Sequence, residues 1–181
     1  MAHQQRENHN ESEPDIVLQS SVFAVERMQV ALRGGESAVR HIVRHPGAVC
    51  VLALLDDGRL VTIRNFRIAT GVWMNEFCAG KLESGEDPLH AAARELEEET
   101  GYQAGSIESL GTFYTSPGFT DELMHAFVAR QLRPCPLRLE LDERIEVVLR
   151  TTEEFSELIR TGEVCDGKTL ATFLRWKLVR T

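Results

Sequence analysis

The sequence GKLESGEDPLHAAARELEEETGY, residues 80–102, carries the clearest helix signal in the chain. Asp87 is a suitable N-cap, Pro88 suits the first helical position, and Gly101 suits the position that stops a helix. Between them an apolar stripe recurs at helical spacing, formed by Leu89, Ala92, Ala93 and Leu96. The segment therefore predicts a glycine-rich loop followed by a helix that packs through this stripe.

Three glutamates of this segment are spaced so that a helix presents them together. Glu95, Glu98 and Glu99 stand at i, i+3 and i+4, on a face roughly 130° from the apolar stripe at about 100° per residue. Clustered carboxylates repel one another unless a cation neutralises them, and oxygen ligands suit Mg²⁺ or Mn²⁺. Arg94 can hold one carboxylate in place or form an ordinary surface ion pair. Glu86 adds an acid in the loop, which favours a diphosphate and metal site over a solvated acidic helix face.

The rest of the chain indicates strands before and after this helix, and two further helices near the end. Strand-like stretches lie at 20–32, 37–45, 48–55, 60–65, 73–78, 107–114, 122–131 and 144–150. Thr151 and Glu154 form a capping box that opens a short helix with Phe155, Leu158 and Ile159 inward. A last helix, at about 167–179, carries on one face Leu170, Phe173, Leu174 and Leu178. This order predicts an α+β fold with a mixed sheet.

Length, charge and cysteine usage narrow the class of protein. We expect a disordered polar tail at 1–15, an N-terminal β-hairpin at 16–45 and the main domain at 46–181. The net charge of −8 argues against nucleic-acid binding through the overall electrostatic field and leaves a local basic patch as the alternative. The longest strongly apolar run has 8 residues, which is too short for a membrane helix. Four separated cysteines and a polar N-terminus without a signal sequence favour the cytoplasm.

A phosphate-loop sequence also occurs near the end of the chain. Residues 162–169, GEVCDGKT, match the spacing G-x-x-x-x-G-K-T. A phosphate loop should follow a buried strand, whereas this one follows the short predicted helix. Glu163 and Asp166 would also place negative charge beside the phosphates. We interpret the match as chance, with Asp166 as the N-cap of the last helix.

Residues 80–102 resemble the Nudix box at every fixed position of that motif. Those positions are Gly80, Glu86, Arg94, Glu95, Leu96, Glu98, Glu99, Gly101 and Tyr102. The resemblance implies hydrolysis of a nucleoside diphosphate linked to another group. It also implies a Nudix α/β/α sandwich with a mixed sheet, to which the N-terminal strands add a small antiparallel appendage.

Carried over residue by residue, the resemblance also implies a metal site. The implied ligands are Glu95 and Glu99, helped by Glu98 and by the backbone carbonyl of Ala79. The implied cofactor is Mg²⁺, with Mn²⁺ as the alternative. Arg94 would orient a glutamate, and Glu86 would support the loop and a metal-bound water.

Segments outside the box resemble the ADP-ribose pyrophosphatase branch of the family. Residues 116–122, SPGFTDE, are similar to its downstream signature, and residues 64–67 and 76–80 to its segments before the box. Cys78 stands where that branch usually has proline, and we interpret it as a buried structural cysteine. The implied substrate contacts are Arg64, Arg67, Glu76, Pro117, Gly118, Phe119 and Glu122.

The resemblance implies that water attacks phosphorus and that a glutamate beyond the box takes its proton. We choose Glu143 as this base, with Glu140 and Glu98 as the alternatives. Arg64 and Arg67 would grip phosphates, although an alternating strand turns them to opposite faces unless it bends.

The implied reaction is Mg²⁺-dependent hydrolysis of ADP-ribose, or a related ADP-sugar, to AMP and ribose 5-phosphate. Another nucleotide-sugar such as GDP-mannose, or a non-catalytic ADP-ribose sensor, is the alternative. Phe66, Trp73 and Phe119 are candidates for stacking on adenine or for the core. The resemblance also favours a homodimer to which the N-terminal strands contribute.

Overall fold

The computed structural model of the chain describes residues 15–139, 141 and 143–179. The predicted tail at 1–15 therefore lies outside the described residues except for Asp15. The contacts divide the described chain into two compact units. The smaller unit comprises the described residues up to His45 together with Ser116–Glu122, and the larger unit comprises Pro46–Thr115 and the described residues from Leu123 onward.

The smaller unit contains an antiparallel sheet of three described strands, in the order β1-β2-β3. The strands are β1 (Asp15–Gln19), β2 (Ala24–Ala31) and β3 (Ser37–Arg44). Strands β2 and β3 form the predicted hairpin, and its turn contains Gly34 and Gly35 at φ 108° and 87°. Such φ values strain any residue with a side chain, which explains the glycine pair. Strand β1 lies outside the strand-like stretches predicted from the sequence, and its five residues are all exposed.

The larger unit is built on a mixed sheet in which seven strands are described, confirming the predicted fold class. The strands are β4 (Ala48–Leu54), β5 (Leu60–Arg67), β6 (Val72–Glu76), β7 (Cys78–Lys81), β8 (Tyr102–Tyr114), β9 (Leu123–Pro134) and β10 (Ile145–Arg150). The sheet order is β10-β5-β4-β9-β8, with β6 paired to β5 and β7 to β4. Strands β4 and β9 run parallel, and the other pairs are antiparallel. The stretch predicted as one strand at 73–78 is thus the two strands β6 and β7.

Three helices are described in the same unit, and local signals set their ends. They are α1 (Pro88–Thr100), α2 (Thr152–Thr161) and α3 (Gly167–Val179). The Asp87 carboxylate accepts from the first amides of α1, and Gly101 ends that helix at φ 69°. Thr151 and Glu154 form the predicted capping box of α2.

Strand β4 divides the core of the larger unit because it is buried on both faces. Its residues Cys50 and Leu52 belong to a cluster with Phe155 of α2 and Phe173 of α3. Its residues Val49, Val51 and Ala53 belong to a second cluster with Ala91, Ala92 and Leu96 of α1. Since alternate residues of a strand point to opposite faces, the sheet lies between α1 and the pair α2 and α3. This is the expected α/β/α sandwich.

Two predicted helix faces are wrong in part. In α1, Leu89 is 44% exposed while Ala91, Glu95 and Glu99 are buried with Ala92 and Leu96. In α3, Leu174 and Leu178 are exposed, and Thr169, Thr172 and Trp176 are buried beside Phe173. On the buried side of α1, the Ala79 amide contacts Glu99 and Arg94 contacts Glu95, and on the buried side of α3 the Thr169 hydroxyl accepts from the Phe77 amide. Among the described residues, no helix is both long and apolar enough to cross a membrane.

Candidate active site

Helix α1 and strand β7 bring two buried carboxylates together in the larger unit. Glu95 and Glu99 lie one turn apart, and Glu99 is only 3% exposed. The Ala79 amide of β7 donates to Glu99 Oε2 at 2.9 Å. A Cβ atom on Gly80 would lie 1.9 Å from Glu95 Oε1. A side chain at position 80 would therefore displace the Glu95 carboxylate from the place where it contacts Arg94.

Arg94 joins the loop acid to the helix acids. Its Nε and Nη2 donate to the two oxygens of Glu86, both at 3.0 Å. Its Nη1 donates to Glu95 at 2.7 Å and to Glu98 at 3.1 Å. One guanidinium thus contacts three of the four box glutamates, which is more than an ordinary surface ion pair. These bonds raise the pKa of Arg94, chiefly through Glu86, and lower the pKa of Glu86.

Burial disfavours the charged forms of the two inner carboxylates. Desolvation is the main cause that raises the pKa of Glu99 to about 8, and the neighbouring charges of Glu95 and Glu143 raise it further. The Ala79 amide and, more weakly, Arg67 act in the opposite direction. Desolvation also raises the pKa of Glu95, although Arg94 opposes it. Such a pair needs a proton or a cation to remain buried.

Glu143, the predicted base, lies between the end of β9 and the start of β10. Its side chain is half-buried, and its charge acts on both Glu95 and Glu99. The sequence alone could not decide between glutamates of this acidic loop. The alternative Glu140 lies outside the described residues, and the alternative Glu98 contacts Arg94.

Glu76 holds a buried ion network beside this site. It is fully buried at the end of β6, and its two oxygens accept from Nε and Nη2 of Arg67 at 2.9 Å and 2.6 Å. Lys168 Nζ lies 2.5 Å from the same carboxylate and 3.0 Å from Asp166. Arg67 therefore stands in a fixed bidentate pair, and its charge reaches Glu99.

Lys168 is the residue of this network that sequence reasoning missed. It belongs to the G-x-x-x-x-G-K-T stretch, which follows helix α2 instead of the buried strand that precedes a phosphate loop. Asp166 accepts from the Thr169 amide, as its predicted N-cap role requires. Glu76, a partner of Lys168, lies 92 residues away from it in sequence. No spacing rule could have indicated that pair.

Arg64 and Arg67 lie in separate networks, as an alternating strand predicts. Arg64 Nη1 donates to Glu146 at 2.8 Å in an exposed pair, and its guanidinium lies over the Trp73 ring at 5.4 Å. Trp73 also contacts Phe66 edge-to-face at 5.8 Å between ring centroids. Trp73 is exposed on β6 and Phe66 is half-buried, so neither ring is part of the closed core.

The other predicted substrate contacts belong to the smaller unit. Pro117, Gly118, Phe119 and Glu122 lie in the segment Ser116–Glu122, which pairs with β3. Phe119 is exposed and is therefore not a core residue. Glu122 lies 3.9 Å from Nδ1 of His45.

The chemistry of the box residues fits a divalent cation. Glu95, Glu98 and Glu99 offer carboxylate oxygens, the ligands that Mg²⁺ and Mn²⁺ prefer. Within the described ranges, no three acidic, histidine or cysteine side chains already form a group that could hold a metal. Glu95 instead contacts Arg94, and Glu99 contacts the Ala79 amide. Cys78 supplies no ligand because it is buried with a raised pKa, and its Sγ lies 3.6 Å from the Val51 carbonyl oxygen.

Comparison with known proteins agrees with this geometry. An ADP-ribose pyrophosphatase of Bacillus subtilis is 46% identical over 142 residues, which cover 77% of each chain. A GDP-mannose pyrophosphatase of Escherichia coli is 35% identical over 173 residues, covering 86% of this chain and 88% of that protein. A solved structure described as an ADP compounds hydrolase shares the fold, with a TM-score of 0.78 and 23% identity over 91% of this chain and 90% of that one. The NUDIX domain matches residues 43–173. The chain belongs to the NUDIX domain family.

Proposed function

We propose that the protein hydrolyses the diphosphate of ADP-ribose, or of a related ADP-sugar, to AMP and ribose 5-phosphate. The observation that carries this proposal is the buried carboxylate pair of Glu95 and Glu99 beside the close passage of Gly80. Two desolvated acids one helical turn apart are costly for the fold, and a cation-dependent reaction explains their presence. The 46% identity to an ADP-ribose pyrophosphatase supports the choice of substrate.

Glu95 and Glu99, with Glu98 and the Ala79 carbonyl, would hold Mg²⁺ or, as the alternative, Mn²⁺. When bound there, such an ion lowers the pKa of water and neutralises charge on the diphosphate. Arg94 keeps Glu95 and Glu98 in place, and Glu86 fixes Arg94 through two hydrogen bonds.

The remaining groups bind the substrate and accept the proton. Glu143 is the general base for the attacking water, supported by its position close to Glu95 and Glu99. Arg67, held by Glu76, binds a phosphate through the part of its guanidinium that does not face Glu76. Arg64 is the second phosphate contact. Further contacts to the substrate come from Pro117, Gly118, Phe119 and Glu122.

GDP-mannose is the second candidate substrate. The observation that favours it is the relation to a GDP-mannose pyrophosphatase, which covers more of this chain than the ADP-ribose relative does. The two candidate substrates share the diphosphate that is hydrolysed and differ in the nucleobase and the sugar.

Product analysis over a substrate panel tests the proposal. Wild-type protein is incubated with Mg²⁺ and, in separate reactions, ADP-ribose, ADP-glucose, GDP-mannose or NADH, and kcat/KM is compared. We expect the highest kcat/KM for ADP-ribose, with AMP and ribose 5-phosphate as products. A higher kcat/KM for GDP-mannose would make GDP-mannose the preferred substrate and would leave the proposed diphosphate hydrolysis unchanged. Binding of ADP-ribose without cleavage would instead indicate a sensor.

We further propose a cytoplasmic homodimer that forms through the N-terminal sheet. Its support is that β1 and β3 leave four apolar side chains between 45% and 50% exposed, namely Ile16, Val17, Leu18 and Val39. We expect light scattering to give twice the chain mass, and replacement of Val17 and Val39 by lysine to give the monomer mass. Monomer mass for the wild type would contradict the dimer.

A further inference from the structure

The segment Ser116–Glu122 is hydrogen-bonded along the outer edge of β3 in the smaller unit. The Val43 amide donates to the Phe119 carbonyl at 2.8 Å, and the Asp121 amide donates to the Val43 carbonyl at 3.2 Å. Thr120 forms a parallel bridge with Val43. Because β3 is the last strand of its sheet, these bonds satisfy backbone groups that an edge strand would otherwise present unpaired.

The Asp121 carboxylate adds side-chain bonds to this backbone pairing. Its Oδ1 accepts from the His45 amide at 2.9 Å, and its Oδ2 accepts from Nη1 of Arg44 at 3.1 Å. Arg44 also donates through Nε to Oε2 of Glu26 at 2.5 Å. The chain Glu26, Arg44, Asp121 therefore joins β2, the end of β3 and the segment.

The strand register explains why Arg44 can reach both acids. Ala24 pairs with Arg44 and Glu26 pairs with Ile42, so Glu26 and Arg44 are diagonal neighbours on one face of the hairpin. Glu26 is buried, and it fixes the Nε side of the guanidinium. The Nη1 side is then directed at Asp121 without further freedom, since the guanidinium is planar and rigid.

We propose that Arg44 is a positioning residue for substrate binding. Held by Glu26, it fixes Asp121 and with it the backbone of residues 116–122. This inference rests on the proposed function, in which that segment contacts the nucleotide-sugar. A segment that is already ordered pays no free energy for ordering when the substrate binds. Arg44 therefore contributes to the affinity for substrate.

Steady-state kinetics and amide hydrogen exchange on Arg44→Met test this role. We expect KM for ADP-ribose to rise about tenfold with kcat within about threefold, because a binding interaction is lost before the chemical step. The Asp121 and His45 amides should exchange at least about tenfold faster, while amides of β4 and β9 keep their rates. Arg40→Met is the matched control, since Arg40 lies on the same face of β3 but is exposed and, among the described residues, donates to the neighbouring Val39 carbonyl. Arg40→Met should change neither KM for ADP-ribose nor the exchange rates of the Asp121 and His45 amides.

Arg44→Lys provides a second variant that keeps the positive charge beside Glu26. An ammonium cannot reproduce the two-sided contact of the guanidinium, so we expect the same direction of change in KM and exchange. Unchanged exchange at Asp121 and His45, or faster exchange with unchanged KM, would overturn the proposal. A wild type that hydrolyses no compound of the panel would overturn the proposed function and the substrate role of Arg44 together. The exchange data would then still show whether Arg44 holds the segment.

Discussion

Glu99→Gln is expected to abolish most of the activity while making the metal-free fold more stable. The carboxylate is a proposed ligand of the ion that neutralises the diphosphate, a contribution of several kcal/mol and hence about 1,000-fold in kcat. In the metal-free protein the same carboxylate is almost fully buried, and its pKa is raised to about 8. A neutral amide of the same shape removes that desolvation cost but keeps an oxygen to accept from the Ala79 amide.

The pH dependence of stability follows from the sign of this shift. Between the ordinary pKa of 4.5 and the folded value of about 8, the folded state of Glu99 binds the proton that the unfolded state has lost. The free energy of unfolding of metal-free wild type should therefore fall as pH rises through this window. Glu99→Gln lacks this titrating group, so its free energy of unfolding should fall less between the two pH values. Urea unfolding of both proteins in the presence of a chelator, at about pH 5 and about pH 8, measures this difference.

Glu97→Gln is the matched control on the same helix. Within the part of the chain that the structure describes, Glu97 pairs with the exposed Arg138 at 3.3 Å, and it has no place in the proposed site. We expect its kcat to stay within about twofold and its unfolding free energy within about 0.5 kcal/mol of wild type. An active Glu99→Gln variant, or one that unfolds more easily without metal, would show that Glu99 does not have this role.

Glu76→Gln is expected to destabilise the protein by about 3 kcal/mol, the low end for breaking a buried ion pair. The amide leaves Lys168, whose side chain is 13% exposed, with Asp166 as the remaining carboxylate within salt-bridge distance. Arg67 contributes less because its side chain is 37% exposed and water screens its charge. Arg67 also loses its bidentate partner, so kcat/KM for ADP-ribose should fall as well. Urea unfolding and kinetics measure the two effects.

The control for this variant is Glu146→Gln on strand β10, which pairs with β5 as β6 does. Glu146 pairs with Arg64 at 2.8 Å, but the two side chains are 54% and 43% exposed. Exposed ion pairs contribute little to stability, so we expect the free energy of unfolding of Glu146→Gln to lie within about 0.5 kcal/mol of wild type. Equal stability of the Glu76→Gln and Glu146→Gln variants would contradict the role given to the buried network.

Short-range signals were sufficient to predict helix α1 and its ends. Asp87, Pro88 and Gly101 act within one turn, so their residue types alone determine where the helix begins and stops. The orientation of α1 was not predictable in this way, because apolar periodicity places glutamates toward solvent. Contacts with β7 and Arg94 instead allow Glu95 and Glu99 to be buried and leave Leu89 exposed.

Long-range partners explain what the sequence could not predict. Lys168 and Glu76 are 92 residues apart, and Arg44 and Asp121 are 77 apart. Neither pair follows a helical or strand period, so only the packed chain shows them. Strand β1 was also not predictable from a sequence period. Its five residues are all exposed and show no alternation of apolar and polar types.

The most direct test of the proposed reaction is to run ADP-ribose hydrolysis with Mg²⁺ in ¹⁸O-labelled water. Attack of water on phosphorus predicts AMP and ribose 5-phosphate, with one ¹⁸O atom in the phosphate group of one product. Glu99→Gln should give neither product at a comparable rate. The products ADP and ribose, with the label in the sugar hydroxyl, would show that a carbon–oxygen bond is broken instead and would contradict the proposed hydrolysis of the diphosphate.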